Sequence, residues 1–416
     1  MHDIPPDRAL YWSALERTVA DVFARYAFRE IRLPIVESTH LFSRSIGDAT
    51  DIVEKEMYSF PDRHDESLSL RPEGTAGCVR ACIELNLLSV AQKLWYAGPM
   101  FRYERPQKGR QRQFHQIGAE VFGYPGAAIE AELLLLCQRL WSALGIAEVV
   151  HLELNTIGSS RERAIYRESL VAFLQQHRES LDADSQRRID TNPLRVLDSK
   201  NPATQAILDD APALRDFLSA ESLAHESQLL ALLDASGIAY RQNPRLVRGL
   251  DYYNDTVFEW VTDQLGAQGT ICAGGRYDVL VEQLGGKPVP AVGFAMGVER
   301  LYLLLESLNF SALPVTSAPD CFVIVDSEQR MAQGLAIAES LRSTLPQLHV
   351  LVNFAMGSIK SQFKKADKSG ARFALVLGEN EAETECITVK DLSVGEQVQI
   401  PQAELATMLQ SVLGVP

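Results

Sequence analysis

The sequence lacks the features that mark several large classes of protein. No apolar run approaches the roughly 18–20 residues of a membrane span, and the first residues contain no signal-peptide core. The six cysteines, at positions 78, 82, 137, 272, 321 and 386, include no CxxC pair and no zinc-type grouping with histidine. These absences predict a cytoplasmic protein with free thiols, no zinc and no membrane segment.

Common nucleotide and hydrolase motifs are also missing. The chain has no Walker A loop, GxGxxG, HExxH or GxSxG, so any ATP chemistry proceeds without a P-loop. Basic residues are in the minority, and the formal net charge is −14. This balance argues against non-specific coating of nucleic acid but is compatible with RNA bound through local basic patches.

The patterns that are present predict several domains in a chain of 416 residues. Helical spacing covers 8–27 and 128–144, whereas strands or hairpins are predicted over 28–37, 55–70, 246–262 and 268–278. Residues 288–305 are predicted to form a strand that leads into a helix. The stretch 158–240 has helical periodicity and many charges, which indicates an inserted helical module.

The last hundred residues follow a different pattern. After a linker candidate at 309–319, strands at 321–325, 350–353 and 373–377 alternate with helices at 328–344 and 358–369, which predicts a small α/β domain. Within it Lys360, Lys364 and Lys368 recur every four residues. They form either a solvated helix face or a contact with an RNA backbone.

The most informative segment runs from Met100 to Phe122. It places five cations within eleven positions, opposed only by Glu104; the cations are Arg102, Arg105, Lys108, Arg110 and Arg112. We expect a hairpin whose cationic tip binds a local polyanion, such as a nucleotide or an RNA end. On the return strand Gln116 and Glu120 share a face with Gly118 between them, which predicts room for a small ligand. The alternative is a solvated hairpin.

Three further segments combine glycine with isolated charge, namely Arg71–Thr75, Arg248–Trp260 and Ala291–Arg300. At the turn Arg71–Thr75, Glu73 and Thr75 can hold an ammonium group, although the same residues also suit a plain helix start. In Arg248–Trp260 the arginine suits charge on a phosphate.

Two predictions concern side chains beside these glycines. Adjacent Tyr252 and Tyr253 should face opposite sides of a strand, one in the core and the other in a pocket. Arg300, early on an apolar helix, needs an anionic partner, which is either Glu299 or a nucleotide triphosphate.

Together these motifs resemble class II aminoacyl-tRNA synthetases, and within them the bacterial histidyl-tRNA synthetase family. The class pattern is Phe-Arg-x-Glu at 101–104, with a second motif at Gly293, Gly297, Glu299 and Arg300. The histidine-specific pattern is Arg-Gly-Leu-Asp-Tyr-Tyr at 248–253, with Ala-Gly-Gly-Arg-Tyr-Asp at 273–278. The resemblance covers nearly the whole chain.

The resemblance implies an α+β fold, in which helices flank an antiparallel sheet. Its parts are a discontinuous catalytic domain (1–157 and 241–312), a helical insertion (158–240) and a C-terminal α/β anticodon-binding domain (318–416). The implied activity joins L-histidine to tRNA(His) through a histidyl-adenylate made from ATP. The implied partners are ATP with its Mg²⁺, tRNA and a second copy in a homodimer, without DNA and without a protein-held metal.

The resemblance also implies roles for individual residues. Arg248 and Arg102 are the expected catalytic residues. The expected histidine-binding residues are Glu73, Thr75, Gln116, Glu120, Tyr252, Tyr253 and Tyr277. The expected ATP-binding residues are Arg102, Glu104, Arg110 and Arg300, and the expected tRNA contacts are Arg105, Gln107, Lys360, Lys364 and Lys368.

Three rival interpretations follow from the same sequence. A regulatory paralogue that binds histidine without charging tRNA usually lacks both the 248–253 motif and the C-terminal domain. Glu120 together with the 248–253 motif opposes a synthetase for another amino acid. A pure RNA-binding module leaves Glu73, Gln116 and Arg300 without a role.

Overall fold

The computed structural model divides into two compact units, 1–315 and 316–416. It describes residues 2–47, 50, 52–107, 109–250, 252–310, 312, 313, 315, 317–355 and 357–414. Lys108 of the basic segment and Asp251 of the 248–253 motif lie outside these described residues. No helix within the described ranges is long and apolar enough to cross a membrane.

The first unit is built on an eight-stranded sheet in the order β1-β5-β6-β11-β10-β9-β7-β8. The two outermost pairs are parallel, and all pairs between them are antiparallel. Its strands are β1 (Arg29–Glu30), β5 (Gln92–Phe101), β6 (Gln113–Phe122), β7 (His151–Thr156), β8 (Tyr240–Gln242), β9 (Asn254–Val261), β10 (Thr270–Arg276) and β11 (Ala291–Gly297).

A smaller sheet in the same unit has the order β2-β4-β3. Its strands are β2 (Val36–Ser38), β3 (Tyr58–Pro61) and β4 (Ser67–Leu70). The hairpin predicted over 55–70 corresponds to β3 and β4. The strand predicted over 28–37, with an interruption at Pro34, forms as two short strands on either side of that proline, β1 in the large sheet and β2 in the small one.

The helices of the first unit alternate with strands along the chain, and several of them pack against the large sheet. They are α1 (Pro6–Arg25), α2 (Thr39–Ile46), α3 (Thr75–Glu84), α4 (Ala128–Ala143), α5 (Ser160–Gln176), α6 (Ala183–Thr191), α7 (Pro202–Leu208), α8 (Ala220–Ala235), α9 (Leu280–Gln283) and α10 (Val298–Ser307). The side chains of α1, α4 and α10 share one core with β6 residues such as Ile117, Ala119 and Val121. The opposite face of β6 therefore carries Gln116, Gly118 and Glu120.

The second unit has a five-stranded sheet in the order β13-β12-β14-β15-β16. Its strands are β12 (Cys321–Val325), β13 (Val350–Val352), β14 (Phe373–Leu377), β15 (Cys386–Asp391) and β16 (Gln397–Pro401). Its helices are α11 (Met331–Thr344), α12 (Ile359–Ser369), α13 (Glu379–Glu383) and α14 (Leu405–Leu413). The three strands predicted for this domain pair in parallel, as strands joined by helices must.

Candidate active site

A cavity of about 920 Å³ lies on the face of the large sheet that carries Gln116 and Glu120. It brings together twelve residues that the sequence singled out from segments far apart in the chain. They are Glu73, Thr75, Arg102, Glu104, Arg110, Gln116, Glu120, Arg248, Tyr252, Tyr253, Tyr277 and Arg300. We call the part around Glu73, Thr75, Gln116 and Glu120 the acidic end, and the part around Arg102, Glu104, Arg110 and Arg300 the arginine end.

Glu120 forms the floor of the acidic end and is 1 % exposed. Its Oε1 accepts hydrogen bonds from Thr75 Oγ1 (2.7 Å) and the Tyr96 hydroxyl (3.0 Å), and its Oε2 accepts one from the Tyr277 hydroxyl. Burial raises the pKa of Glu120 to about 8, in spite of these hydroxyl donors. At neutral pH this carboxyl group therefore holds a proton that it can share with a ligand.

Tyr96 is a site residue that the sequence analysis missed. Its ring lies beside Gly118, and a Cβ at Gly118 would come within 2.2 Å of the ring. The prediction that Gly118 leaves room for a ligand is therefore wrong, because the Tyr96 ring fills that room. The signal that could have found Tyr96 is a tyrosine on β5 that pairs with a glycine on β6. That pair can be recognised only when the register of the two strands is known.

Glu73 and Gln116 complete the acidic end. The Glu73 carboxylate accepts the backbone N–H groups of Thr75 (2.6 Å) and Ala76 (2.9 Å) at the start of α3, as a helix N-terminus favours. Burial nevertheless raises the pKa of Glu73 above its ordinary value. Gln116 Oε1 is buried and, within the described ranges, has no hydrogen-bond partner. A buried acceptor in this state is matched to a ligand that donates, such as an ammonium group.

Three tyrosines wall this end, and the prediction that Tyr252 and Tyr253 face opposite sides of a strand is wrong. Both are buried and both line the cavity, with their ring centroids 4.7 Å apart. The prediction failed because β9 begins only at Asn254, so the alternation of a strand does not apply to these two residues. Tyr277 packs against Tyr252 with a centroid distance of 5.6 Å.

Arg248 lies between the two ends and is held by a carboxylate that the sequence analysis missed. Its Nη1 donates to Glu259 on β9, and Thr270 Oγ1 also donates to that carboxylate at 2.8 Å. Burial disfavours the guanidinium charge, but Glu259 outweighs burial, so the pKa of Arg248 is raised. Among the described residues its buried Nε has no hydrogen-bond partner. One side of the guanidinium is thus anchored, and the other can bind an anion.

The arginine end contains more cations than carboxylates. Glu104 lies 3.8 Å from Arg102 and 3.4 Å from Arg110, measured between charged atoms. Arg102 Nε also donates to the Pro72 carbonyl at 2.9 Å. A single carboxylate therefore faces two arginines, which leaves net positive charge next to the cavity.

Arg300 adds a third cation and resolves one alternative from the sequence. Glu299 does not pair with it; that carboxylate accepts the backbone N–H of His115 at 2.9 Å and contacts His115 Nδ1 at 3.0 Å. Arg300 instead donates to the Thr270 carbonyl (2.5 Å) and Gln268 Oε1 (3.2 Å). Burial and the nearby Arg110 lower the pKa of Arg300, so an added anion would relieve an unfavourable charge.

The remaining predicted residues lie outside the cavity. Arg105 and Gln107 are exposed in the loop between β5 and β6, where Gln107 and Arg110 form an isolated β-bridge. Lys360, Lys364 and Lys368 belong to the second unit, where all three are exposed on α12. The helical segment also contributes cavity residues without a predicted role, namely Arg195, Leu197–Lys200 and Gln205.

No group of three or more His, Cys, Asp or Glu side chains among the described residues is arranged to hold a metal ion. Glu104 offers one carboxylate at the arginine end, with a buried Oε2 that accepts no hydrogen bond from any described residue. A site with one carboxylate fits Mg²⁺ only when phosphate oxygens complete the coordination.

Comparison with known proteins agrees with this geometry. Residues 1–301 match the family model described as Histidyl-tRNA synthetase, and residues 320–412 match the Anticodon binding domain model. Apo histidyl-tRNA synthetase from S. aureus superposes with a TM-score of 0.82 at 35 % identity, covering 99 % of this chain and 98 % of that one. Histidyl-tRNA synthetase from Nostoc sp. PCC 7120 shares the fold at 22 % identity, with a TM-score of 0.70 and coverage of 99 % and 97 %.

The antiparallel sheet with its flanking helices, the cavity on its face and the separate C-terminal domain define an aminoacyl-tRNA synthetase of class II. Within that class the chain belongs to the histidyl-tRNA synthetase family. Its function is ATP-dependent histidine–tRNA ligation: histidyl-adenylate and pyrophosphate form first, and histidine is then transferred to the 3′ end of tRNA(His). The regulatory-paralogue interpretation of the sequence is therefore not retained.

Proposed function

We propose that the acidic end of the cavity binds the histidine substrate. Gln116, Glu73 and Thr75 accept the α-ammonium group, and the unpartnered Oε1 of Gln116 supports this role. Glu120 and Tyr252 read the imidazole, with Tyr253 and Tyr277 beside them. A carboxyl group and a hydroxyl orient a ring that has two nitrogens, which an apolar slot cannot do.

The arginine end then binds ATP. Arg102 and Arg110 hold the phosphates, Glu104 takes part in binding ATP, and Arg300 holds the nucleotide from the opposite side. The lowered pKa of Arg300 supports this assignment, because its charge lacks a carboxylate partner among the described residues. Arg248 contacts the α-phosphate and the histidine carboxylate, and its unpartnered Nε supports that contact.

The reaction then requires positioning rather than covalent catalysis. The histidine carboxylate attacks the α-phosphorus in line and pyrophosphate leaves; the terminal ribose hydroxyl of tRNA next attacks the carbonyl of the adenylate. Arg102 and Arg248 orient the reacting groups and stabilise the charge that develops on phosphate oxygens. Glu104 is the residue that would hold a Mg²⁺ ion bound with the nucleotide, and that ion would neutralise phosphate charge.

Contacts with tRNA are assigned to two regions. Arg105 and Gln107, exposed in the loop between β5 and β6, contact the acceptor end, and Lys360, Lys364 and Lys368 on α12 contact the RNA backbone. The corresponding parts of the chain are the catalytic domain (1–157 and 241–312), the helical insertion (158–240) and the anticodon-binding domain (318–416). The match of 320–412 to the anticodon-binding model supports the last of these.

We also propose a homodimer that works in the cytoplasm, where tRNA is charged. The small sheet supports an interface, because Val36 and Phe60 share one of its faces and are 41 % and 42 % exposed. Exposed apolar side chains on one face mark a surface that another protein covers. Light scattering should give the mass of two chains, and Phe60→Glu should lower it to that of one.

The observation that carries the substrate assignment is the buried Oε1 of Gln116, which lies on the same face of β6 as Glu120 and has no hydrogen-bond partner among the described residues. The test is histidine-dependent ATP–pyrophosphate exchange, with the other amino acids as controls. Gln116→Met should raise the KM for histidine about tenfold, because the ammonium group loses an acceptor, while the KM for ATP stays within about twofold. Gln92→Met, on β5 outside the cavity, is the matched control, and an unchanged histidine KM in Gln116→Met would contradict the assignment.

A further inference from the structure

The two segments that carry the tyrosines of the cavity continue into a buried polar cluster. Tyr253 is followed by Asn254, and Tyr277 lies between Arg276 and Asp278. None of these three polar residues lines the cavity. Two of them are buried, since Asn254 is 7 % exposed and Arg276 is 2 % exposed. They can therefore influence a ligand through the tyrosines next to them, which do line the cavity.

The Arg276 guanidinium holds the end of β10 with all three of its nitrogens. Nε donates to Glu130 Oε1 on α4 at 2.5 Å, Nη1 to Asp278 Oδ1 at 3.0 Å and Nη2 to the Gly126 carbonyl at 2.9 Å. A planar fork with three acceptors fixes its own orientation, which a lysine cannot reproduce. The backbone on both sides of Tyr277 is thus tied to α4 and to the turn before it.

Asn254 and Asp278 tie the two tyrosine segments to each other. The Asp278 backbone N–H donates to Asn254 Oδ1 at 2.8 Å, and Asn254 Nδ2 donates to Asp255 Oδ2 at 2.9 Å. Asp278 Oδ1 also accepts the backbone N–H of Ala291 at 2.8 Å, which links the pair to β11. Movement at any of these residues would shift Tyr277 relative to Tyr252 and Tyr253.

The backbone at this point is irregular in a way that needs such support. The pairing of β9 with β10 shifts register between Gly275, opposite Val257, and Arg276, opposite Asn254. Asp255 within the shift has φ of 47°, a left-handed conformation that non-glycine residues seldom adopt. Such conformations persist where surrounding contacts over-determine them, and they cluster at functional sites.

We propose that Arg276, Asp278 and Asn254 are positioning residues for histidine recognition, which hold the Tyr277 hydroxyl on Glu120 and the tyrosine wall around the imidazole. This inference rests on the proposed role of Tyr277 in binding histidine. Stability alone is a poor explanation for the cluster, because a buried ion pair such as Arg276–Glu130 contributes little net stability over apolar residues of the same size.

The test is a double-mutant cycle in the full-length protein, read out as the KM for histidine and the KM for ATP in pyrophosphate exchange. Tyr277→Phe and Asp278→Asn should each raise the histidine KM about tenfold and leave the ATP KM within about twofold. If Asp278 acts through the tyrosine hydroxyl, adding Asp278→Asn to Tyr277→Phe should change the histidine KM less than about twofold.

Each outcome has a distinct meaning. If Tyr277→Phe leaves the histidine KM unchanged, the proposed role of Tyr277 is overturned. If Tyr277→Phe raises the histidine KM but Asp278→Asn does not, only this inference is overturned. Additive effects, or histidine and ATP KM values that rise together, would show general loosening and also overturn this inference.

If Asp278→Asn does not fold, Arg276→Lys replaces it, because lysine keeps the buried charge beside Glu130 but loses the fork. Arg330→Lys, at the ion pair with Asp326 in the second unit, is the control and should leave both values unchanged.

Discussion

The two ends of the cavity satisfy their polar groups in opposite ways. At the acidic end, Glu120 already accepts three hydroxyl donors and is almost completely buried. At the arginine end, Arg110 remains 44 % exposed and shares Glu104 with Arg102, while Arg300 makes hydrogen bonds only to neutral acceptors among the described residues. One end is organised before substrate arrives, and the other has a charge that substrate must neutralise.

This difference matches what each end has to recognise. Histidine differs from other amino acids in the placement of two ring nitrogens, so its site gains from donors and acceptors that do not move. ATP is recognised mainly by charge, and a surplus of guanidinium groups attracts phosphate without requiring a rigid frame. Substitutions at the two ends should therefore affect the KM values for histidine and ATP separately, and residues between the ends should affect the rate.

The largest effect is expected at Arg248, which lies between the ends. Arg248→Ala should lower the rate of histidine-dependent pyrophosphate exchange about 10²–10³-fold, the size seen when one preorganised donor is lost. Arg245→Ala is the matched control, because Arg245 lines the same cavity but pairs with Asp209 at a partly exposed position. An unchanged exchange rate in Arg248→Ala would remove Arg248 from the reaction.

The pH dependence of histidine binding tests the acidic end. Burial raises the pKa of Glu120 to about 8, so below that pH the carboxyl group holds a proton that it can donate to a neutral imidazole nitrogen. Above pH 8 the proton is lost, and the histidine KM should rise about tenfold per pH unit, the slope for one proton.

Glu120→Gln supplies the control for that experiment. This variant should bind histidine more weakly than the wild type. Because the amide has no proton to lose near pH 8, its histidine KM should not show the part of the rise above pH 8 that comes from Glu120. Any titration of the histidine amino group affects both proteins equally and cancels in their ratio. The same rise in wild-type and variant would mean that Glu120 does not govern the pH dependence.

The sequence was sufficient to predict the local parts of this site. Alternation along β6 placed Gln116 and Glu120 on one face, and the cluster of arginines before them predicted a cationic loop; both features depend only on neighbours in the chain. The twelve expected cavity residues lie in one cavity. Their roles in binding remain predictions.

The features that sequence analysis missed depend on contacts between distant segments. Tyr96 reaches Glu120 only because β5 and β6 pair in one particular register. Glu259 lies eleven residues after Arg248, and the backbone between them includes the register shift at Asp255. The prediction for Tyr252 and Tyr253 failed for the same reason, since only the folded chain shows where β9 begins.

A smaller and more selective effect is expected at the arginine end. Arg300→Lys keeps the charge but loses the fork, so the KM for ATP should rise about tenfold while the KM for histidine changes less than about twofold. Arg112→Lys is the matched control, because Arg112 stacks on Tyr103 at 3.8 Å and does not line the cavity. A parallel rise in both KM values for Arg300→Lys would show that the two ends are not separable.

The smallest effect is expected for Tyr96→Phe, which removes one donor to Glu120 and keeps the ring beside Gly118. Losing one such hydrogen bond costs about 1 kcal/mol, so the histidine KM should rise about fivefold. The hydroxyl of Tyr96 lowers the pKa of Glu120, so its removal should also shift the pH-dependent rise to higher pH. Tyr166→Phe, buried among the helices outside the cavity, should do neither. A weaker KM without the shift in pH would mean that Tyr96 supports the packing of the acidic end but not the protonation of its carboxyl group.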